Sequence, residues 1–67
     1  MNIVPWTSDR FPNAMRDLTD PVREKAVEIA NALLADGEDE GKAIRVAIAK
    51  AKQWARRRGI RVLGEEL

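Results

Sequence analysis

DEGKAIRVAIAKAKQWARRR, residues 39–58, carries the longest helical pattern in the chain and most of its positive charge. On a wheel of ~3.6 residues per turn, Ile44, Ala47, Ile48, Ala51, Trp54 and Ala55 fall within about one third of the circumference, the usual width of a core-facing stripe. A strand would need alternate residues on one face, which this spacing denies. The interior lacks Pro and is rich in Ala, Lys and Arg, all good helix formers. Asp39 is expected as the N-cap, with Glu40 favoured in the first turn by the helix dipole. Gly59 is expected to end the helix in a left-handed conformation. The predicted helix covers 40–58.

The opposite side of that helix carries Lys42, Arg45, Lys52, Arg56 and Arg57, with Lys50 near its edge. Residues 1–41 hold four basic and nine acidic side chains, a net of −5, whereas residues 42–67 hold eight and two, a net of +6. The overall charge of +1 therefore hides a dipolar chain. Two explanations stand for the cations. In one they offset the partial negative charge of a helix C-terminus and find partners on the acidic helix beside it. In the other they meet phosphates or a foreign acidic surface.

Working toward the N-terminus, DPVREKAVEIANALLADG predicts a second long helix over 21–36. Asp20 is expected as its N-cap and Pro21 as its first residue. Val22, Ala26, Ile29, Ala30 and Leu33 form its apolar stripe, with Val27 and Leu34 at the edges and Gly37 as the stop. Arg23, Glu24, Lys25 and Glu28 read as its polar surface. The link between Asp36 and Asp39 is too short for anything but neighbouring helices, so the pair is expected to form a hairpin. Gly41, costly inside a helix, is read as a point of close approach between the two backbones.

Pro12 to Leu18 predicts a short helix with Pro12 at its first position and Ala14, Met15 and Leu18 on its buried side. Residues 1–11 hold Ile3, Val4, Trp6 and Phe11, with Pro5 and Pro12 preventing regular structure, and are expected to form an irregular apolar arm. Its aromatic rings either cover the core or, in the case of Trp6, stand exposed at an interface. In the tail, 59–67, Ile60 or Leu63 is expected to fold back onto the helix end, and Glu65 to Leu67 to fray. The fold class is thus all-α, a single small domain of 67 residues. It consists of a hairpin of two long helices with a short N-terminal helix and an apolar arm.

Composition excludes more chemistry than it suggests. The chain has no His, Cys or Tyr, and its one Ser is Ser8. Nucleophilic triads, thiol chemistry and zinc sites with His or Cys ligands are ruled out, and no Gly-rich phosphate loop appears. Asp36, Glu38, Glu40 and Gly41 match the start of a calcium-loop template, but Ala47 occupies the position that requires a bidentate Glu. No catalytic residue, cofactor or metal is expected. The start has neither the basic nor the apolar region of a secretory signal, and no apolar run reaches the roughly 20 residues that span a bilayer. A cytoplasmic location without membrane or small-molecule partners is the expectation.

As a set, the pieces PW at 5–6, DPVREKAVEIANALLADG at 20–37, DEGKAI at 39–44 and AKQWA at 51–55 resemble the N-terminal segment of YdaT-like small bacterial proteins of unknown function. The resemblance covers about residues 5–57. It implies a cytosolic, stress-associated bacterial protein and supplies no catalytic or binding residues. The further module of the longer relatives is not carried over.

Two functions follow as expectations. The first is a non-enzymatic protein-interaction or self-association module, with Trp6 and Val46 as candidate contact residues, since Val46 lies off the apolar stripe. The second is nonspecific binding of nucleic-acid phosphates by Arg45, Lys52, Arg56, Arg57 and Arg58. A base-reading helix uses its N-terminal residues, and here those are acidic.

Overall fold

The hairpin consists of α1, Asp20–Ala35, and α2, Glu40–Arg57, preceded by a single 3-10 turn, Asn13–Met15. A computed structural model describes residues 6, 7 and 9–64. Ile3 and Val4 of the expected arm, and the expected fraying of Glu65 to Leu67, lie outside the described residues.

α2 begins as its sequence dictates. The Asp39 carboxylate accepts a hydrogen bond from the Lys42 N–H at 3.2 Å, and Glu40 occupies the first turn. The helix then runs unbroken to Arg57. Both helices end in the same closing motif. At the end of α1 the Glu38 N–H reaches Leu33 O (3.0 Å) and the Gly37 N–H reaches Leu34 O (3.0 Å). At the end of α2 the Ile60 N–H reaches Ala55 O (2.9 Å) and the Gly59 N–H reaches Arg56 O (3.3 Å). Each motif needs a left-handed residue at its hinge, and Gly37 (φ 94°) and Gly59 (φ 68°) supply it.

The start of α1 differs from expectation. Thr19, and not Asp20, is the cap, with Asp20 and Pro21 inside the first turn. The cause is the tail. The Thr19 N–H bonds to Val62 O at 2.9 Å and its hydroxyl donates to Arg61 O, so Thr19 is held outside the helix in extended geometry. The predicted helix over 12–18 is also reduced, to the 3-10 turn. Its bonds all span three residues (Met15 to Pro12, Arg16 to Asn13, Leu18 to Met15), and Pro12 caps it from extended geometry. A segment this short cannot offset the cost of nucleating an α-helix, and Leu18 is drawn instead into an antiparallel bridge with Leu63. Met15 and Leu18 are buried as expected; Ala14 is exposed.

The interface between the helices is made of small side chains. Ala43, Ala47, Ala51 and Ala55 form a continuous i, i+4 ridge on α2 and are fully buried. Val22, Ala26 and Ala30 of α1 are equally buried. Ile44, Ile48 and Trp54, expected within the stripe, are only partly buried and flank this ridge. Ile29 of α1 does the same, with Trp6 and Phe11 of the arm and Ile60 and Val62 of the tail completing the cover.

The arm and α1 are joined by specific polar contacts. The Trp6 N–H donates to Asn31 Oδ1 (3.2 Å) while Asn31 Nδ2 donates to Trp6 O (2.9 Å). Arg23, expected on the polar surface, is only 17% exposed at its side chain. Its guanidinium bonds to Leu18 O at 2.8 Å, pairs with Asp20 at 2.5 Å and lies 4.6 Å from the Phe11 ring centroid.

Gly41 is not the point of close backbone approach expected of it. A Cβ there would meet Asp39 Oδ2 at 3.4 Å and the Arg45 guanidinium at 3.6 Å, and no backbone of α1. The residue is exposed, so close approach of two backbones does not explain it. Gly41→Ala should therefore stabilise the protein by about 0.4–1 kcal/mol, read as a rise in Tm, because only chain entropy changes. Ala51→Leu should have the opposite effect. Overfilling the ridge costs about 1–3 kcal/mol, and in a domain of this size Tm falls by about 4–8 °C for each of them. A thermal melt of each variant checks both signs.

Candidate functional site

Burying the alanine ridge turns the cations of α2 outward. Arg45, Arg56, Arg57 and Arg58 are exposed, and Lys52 is half-buried. Among the described residues none of these five has a carboxylate oxygen within 4.0 Å; the ion pairs formed are Arg16–Asp17, Arg23–Asp20, Lys25–Glu28 and Lys42–Glu38. The acidic helix thus does not neutralise the basic one as one explanation required. Asp20 and Glu28 are taken by cations of α1 itself. Helix-dipole compensation remains open to Arg56 and Arg57, which lie in the last turn of α2.

The five cations do not form one cluster. Lys52 and Arg56 join Arg61 around a groove of about 310 Å³ at the C-terminal end of α2, with Ile60, Val62 and Leu63 as its apolar lining. The tail is fixed there by the Leu18–Leu63 bridge, with the Thr19 N–H on Val62 O and the Gly64 N–H on Asp17 O (2.8 Å). Leu63 is 41% exposed, the one large hydrophobic side chain so exposed among the described residues. Arg45 belongs to an earlier turn of α2 and does not line the groove. Arg58 lies over Trp54, with its guanidinium carbon 5.2 Å from the ring centroid, and Lys25 Nζ lies 5.3 Å from the same ring.

Arg61, Ile60, Val62 and Leu63 were not among the sequence candidates. Their signal was the apolar–charged–apolar alternation at 60–62, too short by itself to fix a conformation. Trp6 packs partly buried against the core, and Val46 is partly exposed without joining the cluster around the core.

Elsewhere, a hollow of about 260 Å³ is lined by Asp9, Asp20, Arg23 and Glu24, where Arg23 already engages Asp20. Among the described residues no group of His, Cys, Asp or Glu is placed to hold a metal ion, and no helix is long and apolar enough to cross a membrane. Glu40 and Gly41 of the calcium-loop template form the first turn of α2.

No family model matches the chain, and no solved structure matches it. A curated relative does: the uncharacterized protein YdaT of Bacillus subtilis (strain 168) is 46% identical over 52 residues. The chain resembles YdaT. The match covers 78% of this chain but 35% of YdaT, so the chain spans about a third of that relative's length. The relative's name assigns it no activity, and the residues of the groove must be interpreted on their own chemistry.

Lys25 and Arg58 over Trp54 give a direct check on the geometry. In a Trp6→Phe background, Lys25→Ala with Arg58→Ala should raise the acrylamide quenching constant of Trp54, with a stability loss of about 0.5–1 kcal/mol for each cation removed. An unchanged quenching constant would mean that neither cation covers the ring.

Proposed function

We propose that this chain is a non-enzymatic protein-interaction module whose working surface is the cationic side of α2, received by an acidic surface on a protein partner or on a second copy. The reading is carried by one observation. Arg45, Lys52, Arg56 and Arg57 have no carboxylate or aromatic partner among the described residues, while the apolar side of the same helix is taken up by the hairpin. Charges presented in this way steer association and set partner choice more than they add raw affinity. On α1 Asp20 and Glu28 already pair with Arg23 and Lys25, which leaves the exposed Glu24 as the carboxylate of that face a second copy would offer. Val46, partly exposed on α2, is an apolar residue such a contact would cover.

Nucleic-acid phosphates are the second reading, favoured by the same unpaired cations. They lack one thing that single-strand binders use: the Trp54 face carries Arg58 and Lys25 and is not free to stack on a base.

Fluorescence anisotropy separates the two. Labelled polyglutamate, oligodeoxynucleotide and oligoribonucleotide are titrated with the whole chain at low and moderate salt, alongside sedimentation of the chain alone. The expected result is salt-dependent binding of polyglutamate, or self-association, abolished by Arg56→Glu with Arg57→Glu. Preferential binding of the oligonucleotides, with log affinity falling by about 0.7 per neutralised phosphate against log salt, would select the second reading. A strict monomer that binds none of the probes would overturn both.

A further inference from the structure

The groove between the end of α2 and the tail combines features that the rest of the cationic face lacks. Its rim holds Lys52, Arg56 and Arg61, and no described carboxylate pairs with any of them. Its lining is aliphatic, from Ile60, Val62 and Leu63, with Leu63 presenting 41% of its surface to solvent. Its shape does not depend on loose loops. Gly59 turns the chain at the helix end, and the tail is held to residues 17–19 by two backbone hydrogen bonds and the Thr19 hydroxyl. At about 310 Å³ the groove is at the small end of ligand pockets, enough for a few side chains.

We infer that this groove takes an acidic peptide segment of a partner protein, with an aliphatic side chain on Ile60, Val62 and Leu63 and flanking carboxylates on Lys52, Arg56 and Arg61. The inference rests on the interaction-module reading and gives it a chemistry. Charge complementarity selects the occupant. Three cations around one apolar patch suit a ligand with several carboxylates near an aliphatic group, which a peptide supplies and a single fatty acid does not. The lining has no aromatic ring on which a base could stack, so a nucleic acid would gain contacts to its phosphates only. A bare acidic polymer would satisfy the rim and leave Leu63 in water.

The test uses the whole chain and three labelled probes: a peptide alternating Glu and Leu, the same peptide with Ser for Leu, and oligothymidylate. The Glu–Leu peptide should bind at least about tenfold more tightly than the Glu–Ser peptide, the factor expected for covering one aliphatic side chain. Leu63→Ser should remove that difference while leaving the weaker Glu–Ser binding intact. Lys52→Glu with Arg61→Glu should weaken both peptides. Arg45→Glu, on an earlier turn, should leave the Glu–Leu preference unchanged. Circular dichroism melts confirm that each variant is folded, and because Leu63 and Arg61 are exposed, loss of the fold is separable from loss of the site. Equal binding of the two peptides, or a Glu–Leu preference that survives Leu63→Ser, would overturn the groove while leaving the cationic face as an interaction surface. Tighter binding of oligothymidylate than of either peptide would overturn both.

Discussion

Alanine packed on alanine is the constraint that governs this hairpin. Ala47, Ala51 and Ala55 of α2 cluster with Val22, Ala26 and Ala30 of α1, and every one of these side chains is fully buried. Small side chains let two helices approach closely, and the spacing between helix axes follows from what stands at the contact. Each alanine removes little apolar surface from water, about 0.8 kcal/mol for a methyl-sized group. The seam therefore fixes the register of the two helices more than it stabilises them. Larger residues must sit along its sides, and that is where Ile44, Ile48, Ile29 and Trp54 are found.

The segments outside the hairpin follow from the same constraint. With so thin a seam, the open flanks need cover, and the arm and tail provide it with Trp6, Phe11, Ile60 and Val62. Neither segment has regular structure to hold it, so polar contacts do so. Asn31 receives the Trp6 peptide group, Arg23 spans Phe11, Leu18 O and Asp20, and Thr19 binds the carbonyls of Arg61 and Val62. Arg23 shows why a charged residue cannot be assigned to a surface by type alone: its stem and ring contact are buried while its guanidinium satisfies main-chain and carboxylate oxygens.

The long helices were legible because periodicity, capping and stop signals agreed. The Asp39 cap, Gly37 and Gly59 stand where the sequence put them, and α2 has Ala47, Ala51 and Ala55 inward. What was not legible came from contacts distant in sequence. Thr19 displaced Asp20 as cap because the tail, some forty residues on, occupies it. Ala43 escaped the predicted stripe because a wheel centred on isoleucine gives weight to size, whereas the seam selects smallness. Gly41 was assigned a packing role that belongs to no neighbour. The five candidate cations were visible as charge, but their division into Lys52 and Arg56 at a groove, Arg58 on Trp54, and Arg45 and Arg57 apart depends on where the tail and the Trp54 ring lie. Arg61 was invisible until the tail had a conformation.

Thr19 joins the start of α1 to the tail. It closes the first turn of α1 through its carbonyl and holds the tail segment that lines the groove through its N–H and hydroxyl. A hairpin is otherwise a structure of near-sequence contacts, and this tie, together with the Leu18–Leu63 bridge and the Gly64 N–H on Asp17 O, closes a long loop, the kind of closure that costs the most chain entropy. The two ends of the fold therefore lock or loosen as one: whatever lifts the tail also takes two partners from the residue on which α1 begins.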